Sequence, residues 1–306
     1  MVGPVGGLVK LREATSRSVA TISRLYPFYS GAGTFANSWL FRQLDPASGR
    51  DSVVEVTGGR ASIPAGDLVG RAMRFAGDLD PKVSWVIERC VGRGDIVLDI
   101  GCNLGLVALR LAERVGPGGQ VHAFEPQPRM LKHLDETLAL NPGLPVTLHR
   151  VALGAKAGEL ELSLPTGNAG AARLLASGDA GQGQSLSTVP VPVRRLDDVV
   201  HELGLSRLDF IKMDVEGFEA QVLEGARHVF KVLTPKVILL EENTSATGKH
   251  LPPALAFLAA AGYDLFGLPR RYLSMGLVPI AADVPAHDYV ALAPGTQPEM
   301  RRALGL

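Results

Sequence analysis

Ile96-Val97-Leu98-Asp99-Ile100-Gly101-Cys102-Asn103-Leu104-Gly105 is the stretch whose reading decides the fold. An apolar run rich in Ile and Val ends in two glycines spaced four apart, and a helical pattern follows over 104–115 until Gly116-Pro117-Gly118-Gly119 stops it. Such a strand–glycine turn–helix is the opening of a βαβ unit. Outward from it the rhythm repeats. A second strand closes at Glu125, a helix is expected over 129–140, and a third strand over 146–151. After an interruption come a strand over 208–214, a helix over 216–230, a strand over 237–241, a helix over 253–261 and a closing pair of strands at 263–268 and 289–293. Strands crowded with Val, Ile and Leu and separated by helices predict an α/β fold, a mostly parallel sheet covered on both faces.

Upstream, Thr57-Gly58-Gly59-Arg60 between two short alternating segments predicts a β-hairpin over 53–63, because tight hairpin turns need positive φ. A helix is expected over 81–90. The interruption at 154–195 holds two alternating strands, 159–164 and 188–193, expected to pair, with a Gly/Ala/Ser-rich loop at 166–187 that reads as a lid. Residues 1–50 form an N-terminal extension that looks helical, broken at Pro27 and at Gly31 to Gly33. Lys10, Arg12, Arg17 and Arg24 accompany a helical spacing of Leu8, Leu11, Val19, Ile22 and Leu25. That pattern fits an interfacial helix, a lid, or a docking or homo-oligomer contact. A single α/β unit is expected to occupy 51–300.

The chain of 306 residues is 46% hydrophobic, and its 31 basic side chains balance 31 acidic ones, so no global field points to nucleic acid. Cys90 and Cys102 are the only cysteines and have no metal-ligand spacing, which fits a reducing cytoplasm. No apolar run reaches the roughly 18 residues of a membrane span, and the first residues lack the apolar core of a signal peptide.

The turn itself separates two nucleotide chemistries. Gly101 and Gly105 allow close approach of a ligand to backbone, and the following helix offers free N–H groups. A nicotinamide-dependent reductase would want Gly-x-Gly-x-x-Gly, but Asn103 and Leu106 stand where two of those glycines belong. Asp99 before the first glycine would repel a pyrophosphate and favour a cationic ligand such as S-adenosylmethionine. Glu125 at the end of the second strand can accept hydrogen bonds from ribose hydroxyls.

These residues, with Gly119-Gln120-Val121-His122-Ala123-Phe124-Glu125-Pro126, resemble the first motifs of the FkbM family of class I methyltransferases. Leu208-Asp209-Phe210-Ile211-Lys212-Met213-Asp214-Val215-Glu216-Gly217-Phe218-Glu219 is similar to that family's most distinctive block, and Val222-Leu223-Glu224-Gly225-Ala226, Arg195-Leu196-Asp197-Asp198 and the Asn168/Gly170 loop continue the likeness. Cys102 replaces the family's usual Ala, the segment 76–80 matches the family's Gly-aromatic-Glu element weakly, and residues 1–50 match nothing in it. The resemblance implies a Rossmann-like seven-stranded sheet with a reversed last strand. It also implies S-adenosylmethionine as methyl donor, S-adenosylhomocysteine as product, and O-methylation of a secondary metabolite or sugar. Carried over by position, Asp99, Gly101, Asn103 and Gly105 surround the methionine portion, Glu125 the ribose and Ala152 the adenine; Cys102 and Pro126 are further cofactor contacts, and Asp214 is either the base or a contact to the cofactor's amino-acid portion.

The remaining chemistry is expected where strands end. Asp214, Glu216, Glu241 and Lys212 converge there as candidates for moving the acceptor's proton; Lys212 reads equally well as a partner for a buried carboxylate. His287, ahead of the last strand, is a further candidate base. Asp214 with Glu242 and Asn243 offers oxygen ligands that permit Mg²⁺ without requiring it. Two rival readings stay open: the reductase, and a cofactor-binding module without catalysis that acts through its N-terminal helix.

Overall fold

The computed structural model describes residues 31–45, 49–78, 80–164, 172–174, 187–242, 250–271, 273–280, 285–296 and 298–306, together with Val19 and Ala246. In chain order the elements are α1 (Ala32–Ala36), α2 (Trp39–Leu44), β1 (Ser52–Val56), β2 (Gly59–Ile63), α3 (Leu68–Ala76), α4 (Pro81–Cys90), β3 (Ile96–Ile100), α5 (Leu106–Val115), β4 (Gln120–Phe124), α6 (Pro128–Leu140) and β5 (Val146–His149). Next come β6 (Ala152–Leu153), β7 (Gly158–Leu164), β8 (Arg173–Leu174), β9 (Ser187–Arg194), α7 (Leu196–Glu202), β10 (Phe210–Met213), α8 (Glu219–Glu224), α9 (Arg227–Val232) and β11 (Val237–Glu241). The chain closes with α10 (Pro253–Ala260), β12 (Asp264–Leu268), β13 (Val278–Pro279), β14 (Asp288–Leu292) and α11 (Pro298–Ala303).

The main sheet runs β13-β12-β14-β11-β10-β3-β4-β5. β5, β4, β3, β10 and β11 pair in parallel, and β14 is inserted antiparallel between β11 and β12. This is the seven-stranded class I arrangement with its last strand reversed; the two-residue β13 adds an eighth strand at the edge. Because side chains alternate across a strand, neighbouring residues serve opposite layers. Leu98, Ile211 and Ile238 pack on the side covered by α7 to α10, whereas Val97, Phe210 and Val237 pack on the side covered by α4, α5 and α6. Each such fully buried apolar side chain stabilises the fold by roughly 1.5–3 kcal/mol.

The second sheet, β6-β9-β7-β8, contains the expected pairing of β7 with β9. Its 166–187 loop lies mostly outside the described residues, as does most of the N-terminal extension. Within that extension α1 runs through Gly33, so the expected break there is a helix start just after Gly31 instead. The hairpin β1–β2 turns at Gly58-Gly59 as the sequence indicates.

The single helix expected over 216–230 is two short ones, α8 and α9. Gly225 lies so close to another loop that a Cβ would sit 2.1 Å from the Gly154 carbonyl oxygen. Its own carbonyl accepts from Asp197 N–H at 3.0 Å, and the Asp197 carboxylate accepts from Val229 N–H at 2.9 Å. A side chain from α7 thus caps α9, and the helix restarts there. The third strand is also shorter than expected. β5 ends at His149, and Ala152–Leu153 join the second sheet.

Candidate active site

The carboxyl ends of β3, β4, β10 and β11 open on one cavity of about 630 Å³. Its floor is the turn after β3. Gly101, Asn103 and Gly105 all have left-handed φ, 79°, 50° and 78°, which delays the start of α5 to Leu106 rather than 104. Gly101 N–H and Cys102 N–H both donate to the Phe124 carbonyl at 3.0 Å, tying the turn to β4. A Cβ on Gly101 would stand 1.9 Å from the Asp214 carbonyl oxygen, so the turns after β3 and β10 touch backbone to backbone.

Glu125 follows β4 and is 7% exposed. Its carboxylate accepts from Asn103 N–H at 2.9 Å and from Gln127 N–H at 2.8 Å. Burial nonetheless pushes it up to about 7. Gly101, Cys102, Asn103, Glu125, Pro126 and Ala152 all line the cavity. Two of the residues expected around the cofactor do not. Gly105 is the residue before α5, with the Leu134 side chain 2.7 Å from where a Cβ would be. Asp99 is fully buried, and neither of its oxygens has a hydrogen-bond partner among the described residues.

Lys212 explains the position of Asp99. The two are register partners across β10 and β3, and the ammonium lies 3.8 Å from Asp99, 3.3 Å from Asp214 and 3.2 Å from the Gly101 carbonyl. Burial alone would lower Lys212; the Asp214 and Asp99 carboxylates outweigh it and hold the ammonium above its usual range. Burial raises Asp99 to about 6 against that same cation. Lys212 lines the cavity and Asp99 does not, so the Asp99 carboxylate faces the Lys212 ammonium, which it shares with Asp214.

Asp214, Glu216 and Glu241 reach the cavity. Glu216 does not open a helix. It sits at φ 54° in the loop after β10, and partial desolvation of its carboxyl at the cavity, then the neighbouring Asp214, raise it. Glu241 ends β11 opposite Asp288. Burial, then the Asp214, Asp288 and Glu216 charges, push Glu241 up to about 8. Asp288 is held by an ion pair to Lys82, which also lies 3.3 Å from Asp80. His287, the other proposed base, is exposed, is not part of the cavity lining, and gives its carbonyl to Glu242 N–H at 2.7 Å. Asn243 lies outside the described residues, and no group of three metal-ligating side chains occurs among the described residues.

Sequence reasoning missed four contributors. Glu219 is 2% exposed and accepts from Val215 N–H at 3.1 Å and Gly217 N–H at 3.3 Å, shaping the loop that carries Asp214 and Glu216. Asp78 and Arg110 meet at 2.9 Å on the cavity wall. Arg270, after β12, lines it as well. Only the Glu219 spacing within the Asp214 block was visible in one dimension.

The sequence profile described as the Methyltransferase FkbM domain matches residues 99–265, from the buried aspartate of β3 into β12. The chain belongs to the FkbM methyltransferase family. Over 142 residues it is 33% identical to the 2-O-methyltransferase NoeI of Sinorhizobium fredii, covering 43% of this chain and 57% of that protein. It is 30% identical over 195 residues to the methyltransferase sdnD of Sordaria araneosa, covering 55% and 73%. To the 31-O-demethyl-FK506 methyltransferase FkbM of Streptomyces tacrolimicus it is 29% identical over 168 residues, covering 43% and 59%. The chain thus spans little more than half the length of NoeI and of that FkbM protein. Among the described residues of this FkbM-family chain, no helix is long and apolar enough to cross a membrane.

Proposed function

We propose that this chain is an S-adenosylmethionine-dependent O-methyltransferase acting on a hydroxyl of a small molecule, with residues 51–300 as the catalytic unit. The observation that carries the reading is that the Gly101 turn and Glu125 open onto the same cavity as Asp214 and Glu241. The cavity volume lies within the range of small-molecule sites. The cofactor, when bound, supplies a methyl group made electrophilic by its sulfonium. Glu125 would hold the ribose, Ala152 and Pro126 the adenine, and Gly101 to Asn103 the methionine portion.

What the chain itself does is position the acceptor oxygen and take its proton. Asp214 is occupied by Lys212, whereas no hydrogen bond or ion pair to the Glu241 carboxylate occurs among the described residues. A carboxylate ionising near 8 is a better proton acceptor at neutral pH than an ordinary one, because an effective base has a pKa close to the working pH. Glu241 is therefore the general base of the proposal. Lys82 fixes Asp288 beside it, and the hairpin and α3 (Val56, Leu68, Met73) help shield the reaction from water.

Calorimetric titration of the full chain with S-adenosylhomocysteine tests the reading, paired with a screen for S-adenosylhomocysteine release from S-adenosylmethionine across hydroxylated acceptors. Binding that Glu125→Ala weakens, together with turnover on a hydroxyl acceptor, is expected. A wild-type chain that ignores S-adenosylhomocysteine, or that methylates only amines, defeats it.

A further inference from the structure

A ligand with an amino-acid tail needs a negative group for its ammonium and a positive group for its carboxylate, and Asp99 is removed from consideration by Lys212. The cavity wall carries another pair. Arg110 lies on α5, five residues and so about 7 Å along the helix from Gly105. Its Nη1 donates to Asp78 at 2.9 Å and its Nη2 to Glu88 at 3.3 Å. These two carboxylates, one on each terminal nitrogen, hold the guanidinium in place. Its Nε is buried and has no hydrogen-bond partner among the described residues. A guanidinium has five donors, and Asp78 and Glu88 take one from each Nη, so the second hydrogen of each Nη stays available to an anion in the cavity that Arg110 lines.

Asp78 is equally well fixed. Gly77, at φ 79°, ends α3 and turns the chain so that Asp78 Oδ1 accepts from Asp80 N–H at 3.0 Å, while Oδ2 accepts from the Ser84 hydroxyl and from Arg110. Asp78, Ser84 and Arg110 all line the cavity. A part-buried ion pair is weak evidence for a stabilising role. At a cavity wall its fixed, opposite charges are complementary to one ligand chemistry.

We propose that Asp78 and Arg110 form a clamp for the α-amino-acid zwitterion, with Arg110 taking the carboxylate and Asp78 the ammonium of the methionine portion. This rests on the cofactor reading above and moves amino-acid recognition from Asp99 to residues outside the 99–265 family match and to the first helix within it. The two roles differ in kind. The turn at Gly101 accommodates any adenosyl thioether, and the clamp selects those with an intact amino-acid end.

Three probes on the full chain separate these roles by calorimetry: S-adenosylhomocysteine, its decarboxylated analogue, and 5′-methylthioadenosine. Wild type is expected to bind S-adenosylhomocysteine at least about tenfold tighter than the decarboxylated analogue, the scale of a charge-assisted hydrogen bond. Arg110→Gln should erase that preference and leave 5′-methylthioadenosine binding unchanged; Arg110→Lys, which keeps the charge without the fork, should retain part of it. A preference that survives in Arg110→Gln, or a uniform weakening of all three probes, overturns the clamp while leaving the cofactor reading intact. Equal binding of the two homocysteine analogues by wild type overturns it without any variant, which covers a variant that fails to fold. A wild type that binds none of the three overturns the cofactor reading itself.

Discussion

Lys212 carries a full charge inside a central strand, an environment that normally excludes it unless a partner neutralises it. Its partners lie two residues along the chain and on the neighbouring strand. Lys212→Met leaves Asp99 buried without a cation, so a loss of roughly 3–5 kcal/mol is expected in chemical denaturation, with partial recovery in Lys212→Met/Asp99→Asn. Sequence reading identified both residues, but not that they share a register; that requires knowing which strands are adjacent. Glu241 carries the second prediction at this scale. If it is the base, kcat/KM rises with pH through about 8 and levels off above, since activity needs the ionised carboxylate. Glu241→Gln should abolish that limb and most of the rate; a profile unchanged in the variant assigns the base elsewhere. Gly101→Ala must force a methyl group against the Asp214 carbonyl and adopt φ 79°, costing at least about 1–2 kcal/mol in the backbone alone. A lowered melting temperature and lost S-adenosylhomocysteine binding should appear together.

At the scale of elements, the hairpin β1–β2 shows what one-dimensional reading can and cannot reach. Gly58-Gly59 announces the turn because the requirement for positive φ is local. Where the hairpin docks is not local. Arg60 N–H donates to the Asn141 side chain at 2.9 Å, and the Asn141 amide donates back to the Arg60 carbonyl at 2.6 Å, across 81 positions. Ser62 N–H adds a bond to Thr137 on α6 at 3.0 Å. Asn141→Ala is expected to cost about 1 kcal/mol, the net worth of hydrogen bonds whose other partners water can reach. Hydrogen exchange should quicken over 52–63 ahead of β3 and β10; uniform protection across the chain would contradict this. The split between α8 and α9 was unreadable for the same reason, since the cap on α9 comes from Asp197 in another helix.

For the whole molecule, the alternation of strands and helices sufficed to predict the layered α/β sheet, because each element's periodicity records how many of its faces are buried. The balance of titrating groups was not readable, since it depends on depth. Asp99 near 6, Glu125 and Glu219 near 7 and Glu241 near 8 all ionise above an ordinary carboxylate, with burial the leading cause. The folded chain thus retains protons that the unfolded chain has released. These four groups make stability fall as pH rises from about 4.5 towards 8, opposed in the lower part of that window by His122, His133 and His149, which burial holds below their usual range. Melting temperatures across the upper part of that window should decline, and Glu219→Gln, uncharged throughout, should decline less steeply. A stability that rises with pH over the same part would mean these groups are ionised in the folded state.

The reversal of β14 has a practical corollary. Because this strand runs against its neighbours, its first residue, Asp288, pairs with Glu241 at the reactive end, and its last, Leu292, lies level with Val237 at the other. The chain then passes into α11, which packs against α4. A surface tether or affinity handle attached beyond Leu306 would leave from the side of the sheet remote from the cavity mouth. Immobilised through that end, the protein should present its cavity to solution.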